Sequence, residues 1–324
     1  MTLPLIVPLD GSASAESALP IAAAIARRTG APMHLIRVEG GVAPGRSVES
    51  GMLQRPPDPH RRAMAGAYLG EVAVGLVEAS TGGTIVTAQL DGPVVRAVVA
   101  YARAEGGMLV MAARGGGDPG RGPVGTVTDR VVRWSGLPVV VVPVTHELHR
   151  ADRWRCDRMV LVVDGSASLD GILDPAVELA RSFGAAVTVA SAPGGLALEP
   201  VPTRADFIRG YAGDSGADGS ADIVGAAVRR LRQAGCPADG HDVRGRLDAH
   251  AVLSLAAMLE ADIIAVACAD RADGGLLRFG STISGILRRA TVPILVHCSR
   301  SKVPGRPLGT GERSRGRGSP APAA

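Results

Sequence analysis

The sequence of 324 residues has few aromatic side chains, one lysine beside 34 arginines, and no long hydrophobic run. Only eight residues are Phe, Trp or Tyr, which argues against a binder of single-stranded nucleic acid, because such proteins stack bases on aromatic rings. The longest apolar runs, such as 137–144, have about eight residues, whereas a membrane-spanning helix needs about 18 or more. The sequence therefore predicts no membrane association and a core of aliphatic side chains.

Cysteine is also scarce, and its four positions lie 80, 32 and 30 residues apart. None of these spacings matches a zinc site, so no metal site is predicted. Scattered cysteines suit a reducing cytosol, and residues 1–10 lack the basic and apolar segments of a secretory signal. We therefore expect a cytoplasmic protein. The cysteines are Cys156, Cys236, Cys268 and Cys298.

The net charge of +4 comes from the last residues of the chain. Segment 299–324 contains six Arg or Lys and one Glu, which leaves 29 basic and 30 acidic residues in the rest. A basic patch for nucleic acid is therefore not indicated, and nucleic acid is not an expected partner. The same segment is rich in Arg, Gly, Pro and Ser, which predicts a disordered basic tail.

An internal repeat decides the domain organisation. Segment 5–12, an apolar run ending in Asp-Gly-Ser, returns at 160–166 with an offset of 154 residues. Gly125-Thr126 returns as Gly280-Ser281 with an offset of 155. A unit of about 150 residues that occurs twice indicates a duplicated domain. We predict domain one at 1–145, domain two at 156–298 and the tail at 299–324.

Each copy alternates short apolar segments with helical segments, which is typical of βαβ units in a parallel sheet. The predicted fold class is therefore α/β, with two tandem doubly wound five-stranded parallel sheets. The aliphatic fifth strands, 139–142 and 294–296, would leave sheet edges to cover. We therefore expect the copies to pack as an intramolecular pseudo-dimer, and a homodimer stays open. In the first copy we predict helices at 14–29, 60–80 and 92–104, and strands at 33–38, 84–89 and 108–112.

Three features of the first copy meet where parallel strands end, which is where ligands bind in such sheets. They are the Asp-Gly-Ser at 10–12, the glycine-containing loop after the fourth strand, and the helix that begins at Gly125-Thr126. Thr126 is the expected N-cap, with Asp129 three residues later as in a capping box. A helix N-terminus behind a glycine loop is an anion site, because its free amides and its dipole favour negative charge.

These residues resemble the universal stress protein family, and in particular its tandem members. The family motif places a glycine, two residues, a second glycine, nine residues and then Gly-Ser or Gly-Thr. Here the pattern is Ala112, two residues, Gly115, nine residues and Gly125-Thr126, so Ala112 replaces the first glycine. Segment 7–12 matches the family's first strand and Pro138–Val142 its last.

The resemblance implies the adenine-nucleotide-binding alpha-hydrolase-like fold with strand order 3-2-1-4-5, and a regulatory or sensor protein that binds ATP, with or without Mg²⁺. Asp10 would lie near the adenosine, Val38 would contact the adenine, and Ala112 and Gly115 would line the loop. Gly125 and Thr126 would hold the phosphates. The expected ligand set is Pro8, Leu9, Asp10, Ser12, Val38, Ala112, Arg114, Gly115, Gly125, Thr126 and Val127.

The second copy departs from the motif because Asp270 stands where the first copy has Gly115. A carboxylate about 4 Å from a phosphate oxygen costs on the order of 1–4 kcal/mol. Domain one is therefore expected to bind nucleotide and domain two to bind weakly or not at all. The second site would comprise Asp164, Ala192, Ala267, Gly280 and Ser281.

Two other functions stay open. One is an interaction or dimerisation module whose nucleotide sites are degenerate. The other is an adenylating enzyme, although no motif for that chemistry is found. No catalytic residue is predicted, since no general base or carboxylate set is placed for phosphoryl transfer. The sequence is compatible at most with slow ATP hydrolysis.

Overall fold

The computed structural model describes residues 3–39, 59–78, 83–116, 124–144, 154–163, 170–191, 220–242, 248–269 and 281–299. Within this part of the chain, strands and helices alternate in both copies. No helix in the described segments is both long and apolar enough to cross a membrane. The predicted tail at 299–324 lies outside the described residues except for Ser299.

The first copy consists of five strands and five helices, counted over its described residues. Its strands are β1 (Leu5–Pro8), β2 (Met33–Glu39), β3 (Ile85–Asp91), β4 (Met108–Ala112) and β5 (Pro138–Val142). Its helices are α1 (Ala13–Glu16), α2 (Leu19–Thr29), α3 (Pro59–Glu78), α4 (Val94–Ala104) and α5 (Thr126–Trp134). The single helix predicted at 14–29 is therefore two helices, separated at Ser17 and Ala18.

The second copy repeats the order strand, helix, strand. Its strands are β6 (Arg158–Val163), β7 (Ala186–Ser191), β8 (Ala238–Asp242), β9 (Ile263–Ala269) and β10 (Ile294–Ser299). Its helices are α6 (Asp170–Phe183), α7 (Ser220–Gln233), α8 (Ala249–Met258) and α9 (Ser281–Arg289). Gly30 and Gly184 follow α2 and α6 with φ of 70° and 72°, so both helices end in the left-handed conformation that favours glycine.

All ten strands form one sheet with the order β3-β2-β1-β4-β5-β10-β9-β6-β7-β8. The predicted α/β class and the order 3-2-1-4-5 are confirmed in each half. The two five-stranded parallel sheets are not separate, because β5 pairs with β10 in antiparallel register from Ile294 opposite Val141 to His297 opposite Pro138. The parallel strands of the two halves therefore run in opposite directions.

Helices cover both faces of this sheet, which explains why its strands are apolar throughout. Leu5 and Val7 of β1 point into a core with α2, α3, α6 and α7, whereas Ile6 between them points into a core with α4, α5, α8 and α9. All three side chains are at most 1% exposed. The central strands thus supply both cores with alternating residues.

Strands β9 and β10 of the second copy are longer than their equivalents β4 and β5 in the first copy. β4 ends at Ala112, whose equivalent is Ala267, but β9 continues to Ala269. This added part pairs with β10 through Ser299. The backbone of the second copy therefore stays in the sheet where that of the first copy has already left it.

His297 lies at the seam between the copies. A Cβ added to Gly171 of α6 would be 2.2 Å from its ring, so the ring rests directly against this helix. Burial lowers the pKa of His297 below 6.5, and a hydrogen bond with the Gly136 backbone only partly offsets this effect. The ring therefore stays neutral in the folded chain at neutral pH.

The folded state should consequently lose stability as the pH falls below about 6.5, because His297 binds a proton more readily in the unfolded chain than in the folded chain. His297→Gln removes this contribution. Between pH 7 and pH 5, the free energy of unfolding in urea should fall further for the wild type than for the variant. Two parallel stability curves would show that His297 is not responsible.

Candidate functional site

The carboxyl ends of β1, β2 and β4 lie side by side, at the end of the sheet where these parallel strands finish. Leu5 and Ile6 of β1 pair with Met108 and Leu109 of β4, and β1 pairs on its other side with β2. The amide of Leu9 extends this pairing by donating to the Ile36 carbonyl at 2.8 Å. Asp10, which follows β1, therefore lies beside the residues that follow β4.

Asp10 connects the end of β1 to the loop after β4. Its Oδ1 accepts from the amide and the hydroxyl of Ser12 at 2.9 and 2.6 Å, and its Oδ2 accepts from the Gly116 amide at 2.9 Å. Burial opposes the charge of this carboxylate, but these hydrogen bonds outweigh it and lower the pKa of Asp10. The group is thus an anion that is fixed by three donors.

Glycine at 115 is required by the close approach of the loop to Asp10. A Cβ on Gly115 would lie 2.5 Å from Asp10 Oδ2, and one on Gly116 would lie 2.9 Å from Ser12 Cβ. Gly11, between Asp10 and Ser12, has a φ of 85°, a conformation that side chains disfavour. Both sides of this contact therefore depend on the absence of a side chain.

Helix α5 begins next to this loop and has no side-chain cap. Gly125 is the N-cap, with φ −67° and ψ 148°, and Thr126 is the first helical residue. The prediction that Thr126 caps the helix is therefore wrong. Asp129 forms an ion pair with Arg133 at 2.9 Å instead of completing a capping box. The first-turn amides lack partners within the helix, and their dipole favours an anion.

Two hydrogen bonds fix the position of this helix start. The Gly125 amide donates to the Ala113 carbonyl at 2.7 Å, and the buried Thr128 hydroxyl donates to the Ala112 carbonyl at 3.0 Å. Ala112 itself is 6% exposed and packs in the core. Its methyl group, in place of the family's glycine, is therefore held in the core.

The other residues predicted for the site lie near the same strand ends and differ in how deeply they are buried. Pro8 ends β1 and is partly buried, whereas Leu9 is buried. Val38 of β2 packs against the core beneath α4. Arg114 follows β4 and is partly buried, and Val127 is 37% exposed in the first turn of α5.

A charged cluster that no sequence motif indicates lies beside Asp10. The Arg37 guanidinium forms an ion pair with Glu39 at 2.9 Å and lies 5.2 Å from the centre of the Tyr68 ring. The Tyr68 hydroxyl donates to Glu16 at 2.8 Å. Burial and this carboxylate raise the pKa of Tyr68. The cluster unites β2, α1 and α3, elements that are too far apart in sequence for a motif to reveal.

The second copy is described only in part at the equivalent position. Ala267 is buried in β9, and Ser281 begins α9. Asp164, Ala192 and Gly280 lie outside the described residues, as does Asp270. Among the described residues, no group of three His, Cys, Asp or Glu side chains is placed to hold a metal ion.

The comparison with protein families identifies both copies. The universal stress protein family matches residues 1–143 and again residues 156–297. The chain belongs to the universal stress protein family. These matches bear out the resemblance seen in the sequence, and the double match agrees with a tandem member. None of the curated proteins matches the chain closely enough to count as a relative.

Solved universal stress proteins share this fold over nearly the whole chain. One from Archaeoglobus fulgidus DSM 4304 has a TM-score of 0.64 at 18% identity, with 93% of this chain and 97% of that chain covered. A putative universal stress protein from Pseudomonas aeruginosa UCBPP-PA14 has a TM-score of 0.59 at 19% identity, with 92% and 93% covered. At this level of identity, the likeness concerns the fold.

The role of Asp10 in holding the loop predicts a pH-dependent effect of Asp10→Asn. At pH 7 the variant should lose about 0.5–1.5 kcal/mol in the free energy of unfolding, since an amide cannot accept all three hydrogen bonds. The lowered pKa means that this contribution is present above about 3.8 and is lost as the pH falls below it. Urea unfolding at a series of pH values measures both effects. The exposed Asp157, changed to Asn, is the control, and an equal loss in both variants would contradict the role of Asp10.

Proposed function

We propose that the first copy binds ATP, with or without Mg²⁺, and that the chain is a cytoplasmic regulator or sensor of the universal stress type. The observation that carries this proposal is the start of α5, which has no side-chain cap and lies next to a glycine loop that a carboxylate holds in place. Family membership supports the same function. The ligand would contact the residues at the carboxyl ends of β1, β2 and β4.

The start of α5 fits the phosphates. The amides of Thr126, Val127 and Thr128 in the first turn have no hydrogen-bond partner among the described residues, and glycine at 125 lets a phosphate approach the backbone closely. A Cβ on Gly125 would be in ordinary van der Waals contact with the Ala113 carbonyl oxygen and with Arg114 Cα, both at 3.5 Å. Arg114, two residues after the end of β4, adds a positive charge to the loop.

The end of β1 fits the nucleoside. Asp10 is ionised and accepts hydrogen bonds at both oxygens, so it is suited to accept from ribose hydroxyls as well. Val38 offers backbone and an apolar side chain at the end of β2. Asp10 is therefore proposed to serve the adenosine and α5 the phosphates, in the roles that the family resemblance assigns to them.

Gly115→Ala should weaken ATP binding by about tenfold, which corresponds to about 1.4 kcal/mol. The new methyl group would meet Asp10 Oδ2 at 2.5 Å and displace the loop from the carboxylate. Calorimetric titration of the full chain with ATP measures the effect. Gly75→Ala on α3 is the matched control, because its methyl group would meet nothing within 4 Å. Equal affinities in the two variants would count against this site.

We propose that the second copy binds ATP weakly or not at all. Asp270 brings a carboxylate to the position of Gly115, and β9 stays paired with β10 up to Ala269, where the first copy already turns toward Asp10. Both features disfavour the same loop conformation.

Calorimetry should therefore give one ATP for each chain. Asp270→Gly removes the repulsion, worth on the order of 1–4 kcal/mol, and should raise the affinity of the second copy and move the stoichiometry toward two. Two equal sites in the wild type would overturn the asymmetry. If no ATP binds to either copy, the interaction module becomes the better account.

A further inference from the structure

A cavity of about 160 Å³ lies between the two copies, away from the carboxyl ends of β1 and β4. One wall is the last part of α2, and the others are the residues before β6 and the end of α6. We propose that this cavity binds a small phosphate anion, of the size of inorganic phosphate or pyrophosphate. It is lined by Ala24, Arg27, Arg28, Trp154, Arg155 and Phe183.

The charge of the lining favours an anion. Arg27 and Arg28 come from the first copy and Arg155 from the second, and none of the three has a carboxylate partner among the described residues. Like charges around one cleft concentrate the potential inside it. The position of two arginines in the last turn of α2 is favourable for the helix dipole, but this does not account for Arg155.

Two aromatic rings form the apolar part of the wall. Trp154 and Phe183 pack edge to face with their centres 5.3 Å apart, and Trp154 is 9% exposed. The Arg28 guanidinium lies 5.7 Å from the centre of the Phe183 ring, which limits its orientations. The three arginines are exposed, but the rings form an apolar wall on one side of the cavity, and a lower dielectric on that side strengthens the attraction between the guanidiniums and an anion.

Size and charge together select the ligand class. Pockets for drug-sized ligands measure roughly 300–1,000 Å³, so a volume of 160 Å³ is too small for a whole nucleotide. Guanidinium groups match the oxygens of phosphate in a bidentate way. Three such groups suit an anion that carries two or more charges better than a single carboxylate.

Trp154 provides a direct measurement of binding. The other tryptophan, Trp134, is 42% exposed on α5, so Trp134→Phe leaves Trp154 as the sole tryptophan, which is excited selectively at a wavelength that tyrosine does not absorb. Titration of this full-length variant with sodium pyrophosphate, and separately with inorganic phosphate, is done at constant ionic strength. We expect a saturable change in emission. The absence of a saturable change at millimolar concentrations overturns the proposal.

A pair of variants in the same background shows whether the arginines are responsible. Arg27→Gln with Arg155→Gln should weaken the binding at least tenfold, whereas Arg61→Gln with Arg96→Gln removes the same charge from exposed positions on α3 and α4 and should leave it unchanged. An equal effect of the two pairs overturns the site. The response should persist with Gly115→Ala, which separates it from anion binding at α5, and its loss with that variant alone would assign the signal to the nucleotide site. Circular dichroism confirms that each variant is folded.

Discussion

The contact between the Asp10 carboxylate and the Gly116 amide determines the geometry of the candidate site. It brings the loop after β4 onto the end of β1, although the two segments are 106 residues apart in sequence. In the same loop, the Ala113 carbonyl accepts from the amide of Gly125 at 2.7 Å and so fixes the start of α5. A carboxylate that remains charged, glycines in close contact with it and a helix without a side-chain cap are therefore parts of one arrangement.

The antiparallel pairing of β5 with β10 gives the duplicated chain its second constraint. Because the strands of the two halves run in opposite directions, the carboxyl ends of the first half and those of the second half lie at opposite ends of the strands. The candidate site and its counterpart in the second copy thus have separate surroundings, and one can change without the other. The longer β9 and β10 fit such a divergence. The pseudo-dimer as a unit in solution stays a prediction, which this pairing favours.

The sequence was sufficient for the α/β class because strands that are apolar throughout are typical of a parallel sheet covered by helices on both faces. The strand order came from the resemblance to the family. The residues expected at the first site follow from the resemblance to the family motif. Details that depend on hydrogen bonds between distant segments could not be predicted. Thr126, with Asp129 three residues later, looks like a cap, but the bond from Gly125 to Ala113 gives the cap position to the glycine. Nothing local to Arg37 indicates that it lies over Tyr68.

The central claim is that the free amides of α5 and the loop at Asp10 hold ATP in the first copy. Amide chemical shifts of the full 33.0 kDa chain, measured by transverse-relaxation-optimised NMR during an ATP titration, test it most directly. The account predicts the largest changes at Gly116, Thr126 and Val127, and much smaller ones in the first turn of α9. Changes that spare these three amides, or that are equal in α5 and α9, would contradict it.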